Sequence, residues 1–193
     1  MDVNVKQING IWELGYSLDK HTLSSTPIGE NHYGHMQFDT IRPEAGEALY
    51  QLKYKNDFSQ VSAIAQQLNI SCEHLFPPVS LILPMPASTV RSRQPVTEIA
   101  RELARLKGIP CYENLLIKTG TTAPMKDLGT REEKVSALIG AFTVQDVLES
   151  GQYDILIVDD LFDTGSSLEA ATTILKEYNK IRNVFVMTVT RKR

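Results

Sequence analysis

Cysteine is scarce. The two present, Cys72 and Cys111, stand too far apart for the paired spacing of a structural zinc site or for a disulfide framework, and both read as ordinary thiols. Long apolar runs are missing as well: none approaches the ~18 residues that a membrane-spanning helix needs, so no membrane partner is expected. The N-terminus MDVNVKQING lacks the basic-then-apolar layout of a secretory signal, which makes a cytoplasmic location the default expectation. Nor is one sign of charge in large excess. Twenty Lys and Arg stand against 23 Asp and Glu, a net charge of −3, so no overall basic field marks a nucleic-acid binder. The closing TRKR reads as a short solvated basic tail. Internal repeats and low-complexity segments are absent.

What is present suits one globular domain: 193 residues, 42% of them hydrophobic, are enough to bury a sizeable core. Four helices are expected from apolar spacing. DFSQVSAIAQQLNI sets Val61, Ile64, Ala65 and Leu68 on one face, with Asp57 and Gln60 spaced as a capping box. QPVTEIARELARLKG offers Pro95 for a first helical turn, Val96, Ile99, Ala100, Leu103 and Leu106 as an apolar face, and Gly108 as a stop. TREEKVSALIG places Glu133 three residues after Thr130. A fourth helix, over 167–178, turns Leu168, Ala171 and Leu175 inward.

Between these lie VSLILPMP, YDILIVDD and NVFVMTVT. Continuous Val, Ile and Leu without polar alternation is what strands covered on both faces require. Alternating with helices, they predict an α/β fold with an open, mostly parallel sheet flanked by helices, and ligands at the carboxyl ends of the strands. Residues 1–56 are richer in Gly, Pro, Asn and aromatics. They are expected to form a β-rich hood with a short helix near 44–52, without an independent core, over a main body at 57–193. His21, His32 and His35 in this segment match no metal-ligand spacing and are read as polar loop residues.

The stretch ILIVDDLFDTGSS carries the chemistry. Asp159 and Asp160 fall where a buried strand reaches the carboxyl edge of the sheet, where carboxylates can accept hydrogen bonds from the paired hydroxyls of a ribose. Thr164, Gly165, Ser166 and Ser167 follow at the turn into a helix, where glycine admits close backbone approach and the first N–H groups make an anion site. A diol reader beside a monophosphate cradle describes a 5-phosphoribosyl group. A helix-capping turn explains 164–167 equally well, but not a doubled aspartate at the end of a buried strand.

ILIVDDLFDTGSS resembles the diphosphoribose-binding signature of the type I phosphoribosyltransferases. LKY at 52–54, LILPMPAS at 81–88, RSRQPVTEIARELA at 91–104 and REEKVSALIGAF at 131–142 occur in the order seen in ComF-like phosphoribosyltransferase-domain proteins. The chain differs from that group in lacking the N-terminal zinc cysteines and a glycine-phenylalanine-asparagine core at 91–96.

The resemblance implies that Asp159 and Asp160 bind the ribose hydroxyls and that Asp163, Thr164, Gly165, Ser166 and Ser167 hold the 5-phosphate. Pro84, Met85, Pro86 and Ala87 would face the diphosphate, and residues 118–134 would close over the reaction. The implied chemistry is displacement of pyrophosphate from the anomeric carbon by an unknown acceptor. Cations should stabilise the leaving group, with Arg91 and Arg93 the first candidates and Lys126 and Arg131 the next. Magnesium suits as the accompanying ion, because it binds largely through phosphates and water and needs no dedicated protein metal site. A homodimer is implied. The alternative function is a non-catalytic phosphoribosyl diphosphate sensor or accessory protein in a nucleic-acid-related process. KTGTT at 118–122 lacks the Gly-Lys-Ser/Thr end of a nucleotide phosphate loop.

Overall fold

The computed structural model describes residues 1–89, 91–119 and 130–192. The described chain runs β1 (Lys6–Gln7), β2 (Leu14–Lys20), β3 (Ser24–Glu30), β4 (Met36–Ile41), α1 (Glu44–Tyr54), α2 (Gln60–Leu75), β5 (Leu81–Pro84), α3 (Pro95–Lys107), β6 (Leu116–Lys118), α4 (Arg131–Ile139), β7 (Phe142–Val144), β8 (Tyr153–Phe162), α5 (Ser166–Glu177) and β9 (Ile181–Arg191).

Alternation along β8 decides the layering. Ile155 and Ile157 enter one core with Leu168, Ala171 and Leu175 of α5. Leu156 and Val158 enter the opposite core with Leu49 and Leu52 of α1, Ile64 and Leu68 of α2, and Ile99 and Leu103 of α3. All four β8 residues are fully buried, as a strand covered by helices on both faces must be. Truncating any one of them to Ala should cost about 2–5 kcal/mol.

The central sheet has the order β1-β2-β9-β8-β5. β2, β9, β8 and β5 run parallel, and only the short β1 is antiparallel. The expected α/β class with a mostly parallel, helix-flanked sheet is therefore the observed one. β6 and β7 form a separate antiparallel pair.

Local signals explain most helix ends. Pro95 opens α3, and Gly108 closes it through its N–H to the carbonyls of Ala104 and Arg105. Thr130 and Glu133 form the reciprocal capping box of α4. The box expected at Asp57 and Gln60 does not form. α2 starts only at Gln60, and the Asp57 carboxylate instead accepts from the Ser59 N–H (3.1 Å), the Ser59 hydroxyl (2.5 Å) and Gln60 Nε2 (2.8 Å). These bonds build a turn ahead of the helix.

Residues 1–56 do not stand apart from the core. β2 lies inside the central sheet beside β9, and α1 packs against the same core as α2 and α3. Gly46 permits this, since a Cβ there would fall 2.6 Å from the His21 carbonyl oxygen. The β3–β4 hairpin, by contrast, is exposed along nearly its whole length and carries Leu23, Ile28, Tyr33, Met36 and Phe38 or their flanks at the surface.

The TRKR end is also not a solvated tail up to Arg191. Thr190 and Arg191 belong to β9, flanked by β2 and β8, and Arg191 is 2% exposed. Among the described residues its Nε, Nη1 and Nη2 have no hydrogen-bond partner, and burial lowers its affinity for the proton, opposed by the charge of Asp19.

Candidate functional site

The site begins with unequal strand lengths. β5 pairs with β8 only as far as Pro84 opposite Val158, whereas β9 stays paired with β8 out to Arg191 opposite Phe162. Asp159 and Asp160 are thus the first β8 residues beyond the end of β5. Both line a cleft of about 240 Å³ there, together with Met85, Pro86, Ala87, Ser88 and Thr89 of the loop that leaves β5. Lys53, Arg91, Lys118, Phe142 and Ser167 complete the principal walls.

The two adjacent aspartates occupy different settings. The Asp160 N–H donates to Asp159 Oδ1 at 2.8 Å. Burial, and secondly the like charge of Asp160, push the Asp159 carboxyl up to about 8, against the opposing pull of that N–H and of Lys53. Asp160 Oδ2 lies 2.5 Å from Lys53 Nζ, an ion pair whose side chains are 22% and 18% exposed. Burial thus favours the protonated form of Asp159, while the Lys53 ammonium rests on its neighbour.

Further contacts around Asp160 come from β9 and the turn after β2. The Thr190 hydroxyl donates to the Asp160 carbonyl at 3.0 Å. With its one proton so used, it accepts from His21 Nδ1 at 3.1 Å, which sets the His21 tautomer. His21 is half-buried, and its pKa is lowered by burial first, then by Lys53 and Arg42, with Asp160 opposing. It is a residue of the site's margin rather than a free polar loop histidine; His32 and His35 lie in the exposed hairpin.

The turn into α5 is built on Gly165, whose φ of +80° at the N-cap favours a residue without Cβ. Thr164 Oγ1 and Ser166 Oγ lie 3.0 Å apart, and Ser166 is buried. Of this turn, Ser167 reaches the cleft wall. The first-turn N–H groups of α5, which have no partner within the helix by construction, stand beside Asp159 and Asp160 at the same end of the sheet.

The residues singled out from sequence divide accordingly. Asp159, Asp160, Met85, Pro86, Ala87, Arg91 and Ser167 meet on one cleft. Pro84 is the last buried rung of β5. Asp163 forms an ion pair with Lys192, and Thr164, Gly165 and Ser166 shape the turn behind Ser167. Arg93 is engaged elsewhere, its guanidinium 3.9 Å from the centre of the Phe58 ring and 2.8 Å from Glu98. Arg91 instead donates to the Lys53 carbonyl at 2.9 Å. Lys126, the Arg131 side chain and most of the expected closing segment 118–134 lie outside the described residues.

Lys53 and Lys118 line the cleft and His21 lies next to it, although the sequence marks Lys53 only within LKY at 52–54, Lys118 only as the start of the expected closing segment and His21 only as a polar loop residue. Lys118 Nζ lies 3.5 Å from Ser88 Oγ, joining β6 to the loop after β5. Besides its place in LKY, Lys53 is the basic residue of the last turn of α1. Among the described residues no group of three or more His, Cys, Asp or Glu is arranged to hold a metal ion.

No protein-family model matches the chain, and no curated protein matches it. Solved structures do resemble it in part. An adenine phosphoribosyltransferase from Thermoanaerobacter pseudethanolicus is 12% identical over 88% of this chain and 95% of that one, with a TM-score of 0.47. One from Leishmania donovani is 13% identical over 90% and 70%, TM-score 0.47. Leishmania donovani UMP synthase is 11% identical over 83% of this chain, which spans only 27% of that one, with a TM-score of 0.41. A functional reading of this chain accordingly rests on the cleft itself.

Proposed function

We propose that this protein binds 5-phosphoribosyl diphosphate in the cleft at the carboxyl end of β8 and transfers its phosphoribosyl group to an acceptor. The observation that carries this reading is a juxtaposition: Asp159 and Asp160 emerge beyond the end of β5, between the N-terminus of α5 and the loop at 85–89. The aspartates would read the ribose hydroxyls. The first turn of α5, reached over Gly165, would take the 5-phosphate on backbone N–H groups. The loop at 85–89, with Arg91 and Lys118 close by, would face the diphosphate.

In the reaction the bond from the anomeric carbon to the diphosphate oxygen breaks and its electron pair leaves with pyrophosphate. A lone pair of the acceptor forms the new bond, and the acceptor gives up a proton. Negative charge grows on the leaving group while positive charge grows on the ribose ring, so Arg91 and Lys118 near the former and Asp160 near the latter have the required signs. Magnesium would enter with the diphosphate, held chiefly by phosphate oxygens and water, and would neutralise part of its charge. A ComF-like ancestry and a homodimeric, cytoplasmic enzyme belong to the same reading.

The test is pyrophosphate release. The protein, phosphoribosyl diphosphate and magnesium are incubated with a panel of nucleobases, amines and nucleic acids. Release that depends on one acceptor supports transfer. Tight binding without release from any acceptor would favour the accessory-protein alternative.

A further inference from the structure

Lys53 stands at the meeting point of the two walls of the cleft. It occupies the last turn of α1, on the face of the sheet that holds Leu156 and Val158, while α5 lies on the opposite face with Ile155 and Ile157. Its backbone carbonyl accepts from Arg91 Nη1 at 2.9 Å, which ties it to the segment following the 85–89 loop. Its ammonium sits 2.5 Å from Asp160 Oδ2 and lines the cleft. The pair is not sealed in the core, since each side chain keeps about a fifth of its surface exposed.

A carboxylate oxygen that an ammonium already holds is a weaker acceptor for a sugar hydroxyl than a free one. A ligand hydroxyl that takes Asp160 Oδ2 competes with Lys53 for that oxygen, and an ammonium so displaced stays in the cleft on a flexible four-carbon stem with three rotatable donors. The Lys53 backbone is joined through Arg91 to the diphosphate side of the cleft, whereas the 5-phosphate side belongs to α5 across the sheet.

We propose that Lys53 is an exchangeable positioning residue, which holds Asp160 in the empty cleft and moves to the diphosphate of the bound ligand. The inference rests on the phosphoribosyl diphosphate reading and adds a role for α1 to it. An ammonium bound to Asp160 Oδ2 offsets the charge of that carboxylate until a ligand takes its place. Released, it meets the group on which negative charge accumulates as pyrophosphate departs.

Calorimetric titration of two probes, each with magnesium, separates this role from a merely structural one. Phosphoribosyl diphosphate carries the diphosphate; ribose 5-phosphate has the same hydroxyls and 5-phosphate without it. Lys53→Met should weaken phosphoribosyl diphosphate by about 10- to 100-fold, the effect of one lost hydrogen bond to a charged group. The same substitution should leave ribose 5-phosphate unchanged or tighten it, because Asp160 is freed. Lys53→Arg should restore most of the affinity for phosphoribosyl diphosphate. Equal losses on both probes, or none on either, would overturn the role of Lys53 while leaving the phosphoribosyl reading intact. Failure of the unsubstituted protein to bind either probe would overturn that reading and this inference with it. Should Lys53→Met not fold, Lys53→Gln removes the charge with a polar side chain one atom shorter, and gives the same contrast.

Discussion

The backbone N–H of Asp160 donates to the carboxylate of its neighbour Asp159 at 2.8 Å, yet the Asp159 carboxyl is still pushed up to about 8. Burial and the adjacent negative charge outweigh the hydrogen bond. From about pH 4, the ordinary aspartate value, to about 8, the unfolded chain has lost this proton while the folded chain keeps it. Stability contributed by this group is therefore present at low pH and falls as pH rises through that window. Asp159→Asn should flatten that fall, raising the melting temperature at pH 8 by at least about 2 °C, the shift that roughly 1 kcal/mol produces in a chain of this size. The gain should shrink at pH 5. Thermal unfolding followed by circular dichroism at the two pH values checks it, and an equal shift at both would contradict the titration.

Gly165, with φ at +80°, makes the turn from β8 into α5. Gly165→Ala should cost about 1–3 kcal/mol, the usual strain of a side chain in the left-handed region. Urea unfolding measures that loss. If the α5 turn is the phosphate cradle, affinity for ribose 5-phosphate should fall too, measured where the variant is still folded.

Arg191 is a buried charge whose three guanidinium nitrogens lack hydrogen-bond partners among the described residues. An uncompensated buried cation is costly, and a long apolar side chain of similar reach relieves it. Arg191→Met should raise stability to urea by about 1–3 kcal/mol, the desolvation cost of an unpaired polar group. A loss of stability would mean that attraction to Asp19 outweighs desolvation.

The central layers were legible in the sequence because they rest on local patterns. The apolar run before Asp159 could only be a strand buried on both faces, and Pro95, Gly108, Thr130 and Glu133 mark helix ends through bonds within a few residues. β2 was harder to recognise, since its Ser17 and Asp19 are polar yet buried, and a polar residue in a strand signals solvent. Arg191 misled for the same reason: it is strongly basic and lies near the end of the sequence, yet neighbouring strands cover it on both sides. Within the candidate site, the carboxylates and the glycine turn were readable as one contiguous stretch. The roles of Lys53 and His21 were not, because they come near Asp160 only through the packing of α1 against the sheet and the pairing of β2 with β9. Arg91 and Arg93, two residues apart, could not be told apart until Phe58 and Glu98 were found to hold Arg93.

Asp163 provides an internal control for the site. It is exposed and ion-paired with Lys192, whereas Asp160 lines the cleft. The most direct test of the account is calorimetric titration of phosphoribosyl diphosphate, with magnesium, into the unsubstituted protein, Asp160→Asn and Asp163→Asn, all confirmed folded by their melting curves. The unsubstituted protein should bind, Asp160→Asn should bind about 10- to 100-fold more weakly, and Asp163→Asn should stay close to the unsubstituted value. No binding by the unsubstituted protein, or binding that Asp160→Asn leaves unchanged, would contradict the assignment of this cleft to a phosphoribosyl group.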